Sequence, residues 1–216
     1  MARTLKDKAV DRFLTLYLVN DAFTRKGLRS LPATRLQKLV FLSEWPMIKE
    51  HKKAFNFYFI KLIHGPFSKE LGGDARKLVQ ARLLQRHWFV PTRNARLLLD
   101  DFCDLIERNE SFVQHIRTAN DVCAQVPLKQ LLDMIYGLSW RGGRTIRDLP
   151  PRTPMLYPMQ PEKIVSEFDI ADDEVEDLLM NFDPEIVNDL VQATEEMRIG
   201  KLRTYEQVSC TLRSEV

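Results

Sequence analysis

Residues 64–71, HGPFSKEL, decide how the first half of the chain folds, because they join an apolar segment to the start of a helix. The preceding residues 55–63, FNFYFIKLI, are rich in aromatic and β-branched side chains, a pattern that predicts a strand. Gly65 can adopt a positive φ and Pro66 fixes the bend, so together they predict a tight corner. Ser68 follows as a candidate N-cap. We therefore expect a strand, a corner and a helix in direct succession.

Such a corner has three functional interpretations: a phosphate cradle, the corner of a winged helix, or a surface that recognises another protein. A phosphate cradle needs several backbone amides aimed at one point, usually supplied by more than one glycine. This stretch has a single glycine, and Pro66 removes an amide where one would be needed. The chain also lacks the GxGxxG and GxxxxGKS/T patterns. The two other interpretations stay open.

Catalytic and metal-binding patterns are missing from the sequence as well. There is no GxSxG, HExxH or CxxC spacing, and the four histidines are scattered. Cys103, Cys123 and Cys210 are odd in number and far apart, which argues against a disulfide framework. We therefore predict a non-enzymatic protein without a metal site, and we assign it no cofactor.

The composition is ordinary for a chain that folds in water. Of the 216 residues, 44% are hydrophobic and 29% are charged. No apolar run approaches the roughly 18 residues that a membrane-spanning helix needs. The first residues, MARTLKDKAVDRF, contain no apolar signal core. We expect a cytoplasmic location and no membrane partner.

Helical periodicity covers most of the first 140 residues. Pro46 is expected to stop the second helix. The pair Gly72 and Gly73 is expected to break the third helix, which would restart at Asp74 as its N-cap. Residues 87–90, HWFV, are a candidate second strand. The predicted helices cover residues 5–24, 35–45, 71–83, 93–109 after the cap Thr92, 110–123 and 127–138.

Residues 141–161 have a different character from the rest, because five of the eleven prolines fall between Pro150 and Pro161. Proline lacks an amide donor and fixes φ, so we expect an extended connector draped on the first domain. Residues 172–182 and 183–200 then predict two further helices. The predicted organisation is a domain over residues 1–140, the connector over 141–161 and an acidic helical segment over 162–216.

The net charge of +2 hides a strong asymmetry along the chain. Between Glu162 and Glu196 there are thirteen acidic residues and one basic residue, Lys163. The remainder carries 31 basic and 17 acidic residues, a net charge of +14. The acidic segment could contact the basic body within the chain, contact a basic partner, or face solvent.

A second charge feature lies between Ala75 and Arg96, where the chain has six basic residues and no acidic one. Such a surface could follow the backbone of duplex DNA, as in a winged-helix transcriptional regulator. It could equally pair with the acidic segment, within or between chains. The six candidate nucleic-acid-binding residues are Arg76, Lys77, Arg82, Arg86, Arg93 and Arg96.

The order of these elements resembles the Panacea domain, the SocA-like antitoxin family. The stretches LQKLVFLSEW, FNFYFIKLIHGPFSKEL and ARKLVQARLL are similar to that family's KLQKLLYLA helix, its strand ending in GPYS or GPFS, and its next helix. The resemblance covers about residues 8–140. Arg82 and Ala95 replace two family glycines, and Gly72 and Gly73 interrupt a helix that the family continues, which indicates a divergent member. The matching positions are Leu36, Lys38, Leu39, Phe41, Phe57, Gly65, Pro66, Phe67, Ser68 and Leu71.

Together with the helical periodicity, the resemblance predicts a mainly α fold with a small β element, an α+β class that is winged-helix-like. It implies binding rather than catalysis, since Panacea proteins neutralise toxins by binding them and one type delivers its toxin to a protease. We expect an antitoxin-like protein whose partner is a toxin encoded nearby, with a host protease as a further partner. Residues 197–208, MRIGKLRTYEQV, are similar to the tails of several small antitoxins. The candidate aromatic contacts are Trp45, Phe55, Trp88 and Trp140.

Overall fold

A computed structural model describes residues 3–159, 161–183 and 195 of the chain. Within them the protein is mainly helical with small sheets, which confirms the predicted α+β class. The helices are α1 Leu5–Thr24, α2 Ala33–Lys49, α3 Lys69–Gln80, α4 Arg93–Asp101, α5 Cys103–Arg108, α6 Glu110–Cys123, α7 Leu128–Tyr136 and α8 Asp172–Phe182. The strands are β1 Lys52–Lys53, β2 Phe59–Leu62, β3 Gly65–Phe67, β4 Pro154–Leu156 and β5 Ser166–Glu167. None of the helices in this part of the chain is both long enough and apolar enough to cross a membrane.

Helix α1 is the centre of the fold. The Thr4 hydroxyl accepts a hydrogen bond from the Asp7 amide and so caps the first turn. From Ala9 onward almost every side chain of the helix is buried, because α3, α6 and α8 pack against different faces of it. Helix α1 therefore supplies the apolar surface on which the later elements assemble.

Helix α2 does not stop at Pro46, so that prediction is wrong. The helix runs on to Lys49, and the Pro46 carbonyl accepts a hydrogen bond from the Glu50 amide. Met47 is fully buried beyond the proline, and Trp45 packs its ring against Phe41 at 5.5 Å. This burial offsets the roughly 3 kcal/mol that a proline costs inside a helix.

The predicted strand over residues 55–63 is shorter than expected. Hydrogen-bonded strand β2 starts only at Phe59, where β3 lies on one side and β4 on the other. Phe55 and Phe57 are extended and buried, with their rings stacked at 5.8 Å, but no strand within the described part of the chain pairs with them. Strand β1 forms a separate parallel pair with β5. The aromatic pattern therefore correctly indicated buried residues, whereas the length of β2 depends on which of its residues have a partner strand.

Helix α3 passes through Gly72 and Gly73 without a break, which contradicts the predicted restart at Asp74. Ser68 caps the helix by accepting a hydrogen bond from the Leu71 amide. Leu71 and residues on the following turns are buried against α1. That packing outweighs the roughly 1 kcal/mol that each glycine costs in a helix.

Two further predictions around α4 are wrong. Residues 87–90 form a loop rather than a strand, since His87 and Phe89 have positive φ angles of 77° and 41°. Thr92 caps α4 as expected, but the helix does not continue to residue 109. It breaks at Phe102, where φ is −105° and ψ is 27°, and α5 begins at the next residue. The Phe102 ring packs edge-on against Phe13 at 5.9 Å, so core packing fixes the break.

The proline-rich residues 141–159 return to the body. They contain two 3₁₀ turns, Arg141–Gly143 and Ile146–Asp148, and the edge strand β4. An edge position suits Pro154, because proline cannot donate to a ladder on both sides. The predicted boundaries between separate units, at residues 140 and 161, stay predictions.

The described part of the acidic segment packs on the basic body, so of the three alternatives left open for it, contact within the chain is the one observed. Phe168 is buried, with its ring 6.3 Å from Phe13 and 5.9 Å from Phe112. Helix α8 lies against α1 and buries Phe182. Ion pairs between the described residues of the two parts are Lys53–Glu167, Arg108–Asp169, Arg108–Glu174 and Lys77–Asp183, at 2.7, 3.1, 2.6 and 3.2 Å. The predicted helix over residues 183–200 and the antitoxin-like stretch 197–208 lie outside the described residues, apart from single positions.

Candidate functional site

The corner at residues 64–71 is held by two consecutive side chains of α2. The Gln37 amide nitrogen donates to the Ser68 carbonyl at 2.9 Å, and the Ser68 amide donates back to the Gln37 oxygen at 2.8 Å. The Lys38 ammonium donates to the Pro66 carbonyl at 2.8 Å. These three bonds replace the strand that would otherwise pair with the outer edge of β3. Gln37 stands inside the family-like LQKL motif, but it was not among the matching positions singled out from the sequence.

Gly65 and Lys38 show why this corner tolerates little change. Gly65 has a φ of +86°, and a Cβ there would lie 2.9 Å from Leu132 and 3.3 Å from the Lys38 side chain. Lys38 is 3% exposed and no acidic group faces it, so burial lowers the pKa of its ammonium to about 8. The predicted positive φ at Gly65 is confirmed. The corner is a packed structural joint.

The other matching positions of the motif fall into two groups. Phe67 is 38% exposed on the surface of the sheet. The remaining ones are in the core, where they join α2 to the extended segment and to α3. These core positions are Leu36, Leu39, Phe41, Phe57 and Leu71.

A buried charge cluster, which the sequence did not predict, joins the N-terminus to α1 and α3. Arg3 bridges Asp11 and Asp74 through one nitrogen, at 2.6 Å from each carboxylate. Arg12 reaches the second oxygen of Asp74 at 3.0 Å. The backbone amide of Asn56 donates to Asp11 at 2.7 Å. Asn56 and Asp74 are far in the chain from the three N-terminal residues of the cluster, and no motif in the sequence marks them.

Burial dominates the electrostatics of two carboxyl groups in this part of the core. Desolvation raises the pKa of Asp11 to about 7, although Arg3 acts in the opposite direction. Desolvation also raises the pKa of Glu44 well above its usual value, with the nearby Asp11 adding to the effect. Neither carboxyl oxygen of Glu44 has a hydrogen-bond partner among the described residues. Burial without a partner therefore favours the protonated form of Glu44.

The six candidate nucleic-acid-binding residues do not form one uniform surface. Lys77 pairs with Asp183 of the acidic segment, and Arg76 is exposed further back on α3. The others lie on the loop after α3 and on the first turn of α4, where all are exposed. None of these four arginines on the loop and on α4 forms an ion pair within the described residues. The four arginines Arg82, Arg86, Arg93 and Arg96 together with Trp88 are called the arginine–tryptophan surface below.

Hydrogen bonds across the loop bring both ends of the arginine–tryptophan surface together. The Thr92 hydroxyl donates to the Arg82 carbonyl at 2.8 Å, and the Thr92 amide donates to the Leu83 carbonyl at 3.0 Å. Trp88 stands on this loop and is 54% exposed, while its carbonyl accepts from the Leu31 amide at 2.9 Å. Leu97, one turn after Arg93, is 50% exposed. Cations and apolar side chains are therefore interleaved on a braced loop.

An acidic cleft adjoins the arginine–tryptophan surface. It has a volume of about 410 Å³ and lies between α4, α5 and α8. A smaller cleft of about 250 Å³ beside Leu97 shares Leu98, Asp101 and Asn181 with it. Within the described residues no group of His, Cys, Asp and Glu has the arrangement to hold a metal ion. The acidic residues of the larger cleft are Asp101, Asp104, Glu174 and Asp177.

Of the four aromatic residues proposed as contacts, only Trp88 is an exposed anchor. Phe55 is buried, so its interpretation as a contact residue is wrong. Trp45 and Trp140 are half-buried and stack on each other at 5.7 Å. They fasten the start of the proline-rich segment to α2, which leaves Trp88 as the one of these four residues that is exposed to a partner.

Comparison with known proteins adds no relative, because no protein-family model, curated protein or solved structure matches the chain. The resemblance to the Panacea domain therefore remains a prediction that rests on the motif residues. The winged-helix expectation has the same standing.

Proposed function

We propose that this protein is a non-enzymatic, antitoxin-like binding protein that captures a toxic protein partner through the arginine–tryptophan surface. The observation that carries the proposal is the exposure of four arginines and Trp88 on the loop after α3 and the first turn of α4, which hydrogen bonds join to each other. By contrast, Arg25 pairs with Asp21 and Arg117 pairs with Glu110. The proposal includes a cytoplasmic location and a partner encoded nearby, as the family resemblance implies.

The composition of this surface suits a protein partner. Tryptophan and arginine are the residues that most often dominate binding energy in protein interfaces. Trp88 and Leu97 are each about half exposed, so a partner would bury apolar area as well as pair with charges. The braced loop limits the ordering cost on binding. An acidic surface with an apolar pocket for Trp88 is the complementary partner.

A winged-helix DNA-binding regulator is the second candidate, and the same arginines support it. The acidic cleft beside the surface argues against a duplex that extends past the loop, because its carboxylates would repel the phosphates. Duplex binding would also fall by several decades over a few-fold rise in salt. The two candidates therefore make different predictions for the same variants.

The test uses each protein encoded next to this gene, produced alone and together with this chain. We expect one of them to arrest growth when alone, to be harmless with this chain, and to co-purify with it. Replacing Arg82, Arg93 and Arg96 by Ser should abolish rescue and weaken the complex at least about tenfold, which is about 1.4 kcal/mol. Trp88→Ala should have a comparable effect.

A matched control removes three exposed cations from other surfaces. The triple variant Lys129→Ser, Arg144→Ser and Lys163→Ser carries the same net charge, and we expect it to rescue growth like the natural chain. Equal loss in both triple variants would show that net charge alone matters, and the proposal would fail. Salt-sensitive binding of a duplex, lost only with the first triple variant, would establish the regulator instead.

A further inference from the structure

The three-stranded sheet has one face in the core, and the side chains on its other face are at least partly exposed. Phe59 and Leu156 stand opposite each other on β2 and β4, and both are buried. Ile60 stands on the other face of β2, directly opposite Phe67 on one side and Pro154 on the other. All three of these side chains are partly exposed. The register therefore places a row of apolar side chains on the outside of the sheet.

Exposed apolar and aromatic side chains extend this row at both ends. Tyr58 is 37% exposed and pairs with Tyr157, which is 54% exposed, with ring centroids 5.7 Å apart. At the turn between β2 and β3, Ile63 is 85% exposed. An antiparallel sheet with one solvated face normally alternates apolar residues inward and polar residues outward. We call the residues Tyr58, Ile60, Ile63, Phe67, Pro154 and Tyr157 the outer sheet face.

We propose that the outer sheet face docks an amphipathic segment of another protein, whose apolar side chains are flanked by aspartate and glutamate. Apolar patches of this kind on a protein surface mark interaction sites. The four most exposed side chains of the outer sheet face offer roughly 400 Å² in total, taking about 200 Å² for each whole side chain. That area fits the apolar stripe of one helix.

The charges beside the outer sheet face select an acidic partner. Lys69 follows Phe67 by two residues, and Arg152 precedes Pro154 by two residues. Both side chains are exposed, and neither forms an ion pair within the described residues. Carboxylates next to the apolar stripe of a partner would meet these two cations.

A second copy of this chain fits the same features poorly. In a two-fold dimer the same patch lies on both subunits, so Lys69 and Arg152 of one copy would approach those of the other. Like charges across an interface oppose association. The exposed area is also about half of the roughly 800 Å² that each partner buries in a stable interface.

Docking would use the side chains of the sheet rather than its edge. The edge of β3 is already closed by α2, since Gln37 occupies the Ser68 amide and Lys38 occupies the Pro66 carbonyl. An extended partner strand therefore finds no free backbone groups at these two residues. A helix lying across the face avoids this obstacle.

The outer sheet face and the arginine–tryptophan surface share no residue, so the two proposals can fail separately. Docking on the outer sheet face is tested with synthetic peptides and the purified full-length chain. Binding through the arginine–tryptophan surface is tested in cells, with a toxic protein encoded nearby. Failure of growth rescue would leave the docking measurement unaffected.

The probes are two labelled helical peptides of about 18 residues, or five turns. Both carry Leu at the i, i+3, i+4 and i+7 spacing, and they differ only in having Glu or Lys beside the apolar stripe. Binding to the full-length chain is followed by fluorescence anisotropy. We expect the Glu peptide to bind at least about tenfold more tightly than the Lys peptide.

Variants locate the binding and supply the control. The triple variant Tyr58→Ser, Phe67→Ser and Tyr157→Ser should lower the affinity for the Glu peptide at least about tenfold. The double variant Lys69→Glu and Arg152→Glu should lower it to a similar extent. The control triple Leu5→Ser, Val122→Ser and Met180→Ser removes exposed apolar side chains from α1, α6 and α8. It should leave binding unchanged. Circular dichroism confirms that each variant is folded.

Several outcomes would overturn the proposal. Equal affinity for the two peptides, absence of binding to either, or equal effects of the two triple variants would each do so. Sedimentation that shows a dimer, lost only in the outer-face variant, would identify a second copy as the occupant. Binding of single-stranded nucleic acid that depends on Tyr58 and Tyr157 would replace the protein partner.

Discussion

Removing the Arg3 side chain provides the sharpest test of the buried charge cluster. Arg3 bonds both Asp11 and Asp74 at 2.6 Å, and its guanidinium lies 5.2 Å above the Phe57 ring. Asp74 keeps Arg12 as a partner, but Asp11 would keep only hydrogen-bond donors. Breaking a buried pair by removing one partner costs roughly 3–5 kcal/mol. We expect Arg3→Ala to lower the free energy of unfolding by that amount at pH 8.5.

The cost should depend on pH, because the pKa of Asp11 is raised to about 7 in the folded protein from its ordinary value of 3.8. A raised acid pKa means that the folded state holds a proton that the unfolded state has lost. The stability of the natural chain therefore falls as the pH rises from about 4 to about 7 and then levels off. Removing Arg3 raises that pKa further, so the falling range extends to higher pH. At pH 5.5 Asp11 is protonated in both proteins, and the cost of Arg3→Ala should shrink to about 1–2 kcal/mol.

Urea denaturation at pH 5.5 and pH 8.5, followed by circular dichroism, measures both values. Adding Asp11→Asn to Arg3→Ala removes the uncompensated charge and should make the remaining cost nearly independent of pH. Arg147→Ala breaks an exposed pair with Asp133 and should change stability by less than about 1 kcal/mol at either pH. A cost of Arg3→Ala that is equal at the two pH values, or below about 1 kcal/mol at pH 8.5, would refute the reasoning.

Three further predictions concern positions in the same core and corner. Gly65→Ala should lower stability by more than about 1 kcal/mol, because Gly65 has a positive φ. Gly72→Ala should raise stability by about 1 kcal/mol, because a Cβ at that position meets open space. Thermal melts that show the same sign for both variants would contradict this reasoning. Glu44→Gln should be at least as stable as the natural chain at pH 8. The raised pKa of Glu44 means that the natural protein loses stability as the pH rises above about 4.5. In urea titrations the advantage of the variant should therefore disappear near pH 5. Gln37→Leu leaves the Ser68 amide unpaired and the Ser68 carbonyl with only the Gly72 amide as a donor, and it should cost about 1–3 kcal/mol by urea denaturation. A loss below about 0.5 kcal/mol would show that the corner does not need this clamp.

The local parts of the fold could be predicted from the sequence because their causes are local. The turn at Gly65, the caps Ser68 and Thr92, and the helices α1 and α6 follow from residue chemistry and periodicity within a few positions. The errors arose where distant packing overrides local preference. Pro46 and the glycine pair of α3 are tolerated because the helices around them are buried.

Other features depend on pairings that a single sequence does not reveal. The strand Pro154–Leu156 joins β2 across about 90 residues, and its proline argues against a strand when seen alone. Arg3, Asp11 and Asp74 come together only when α3 packs on α1. The six basic residues could be recognised in the sequence as a group. That Lys77 is paired while the arginines are exposed could not be predicted, because it depends on where Asp183 lies in the fold. Charge patterns therefore predicted candidates, and packing selected among them.

The way in which the acidic segment is held determines which cations remain available to a partner. Its ion pairs with the body involve partly exposed side chains, and each such pair contributes only about 0–1 kcal/mol. Phe168 and Phe182 are fully buried in the common core, and each contributes about 1.5–3 kcal/mol. Apolar burial therefore anchors the described part of the segment, and salt that screens the ion pairs should not release it. Because these anchors lie against α1 and α6, the described part of the segment neutralises cations such as Arg108, and none of its residues pairs with the four arginines of the arginine–tryptophan surface. A partner that binds this surface would meet an arrangement of charges that the chain's own packing has already fixed.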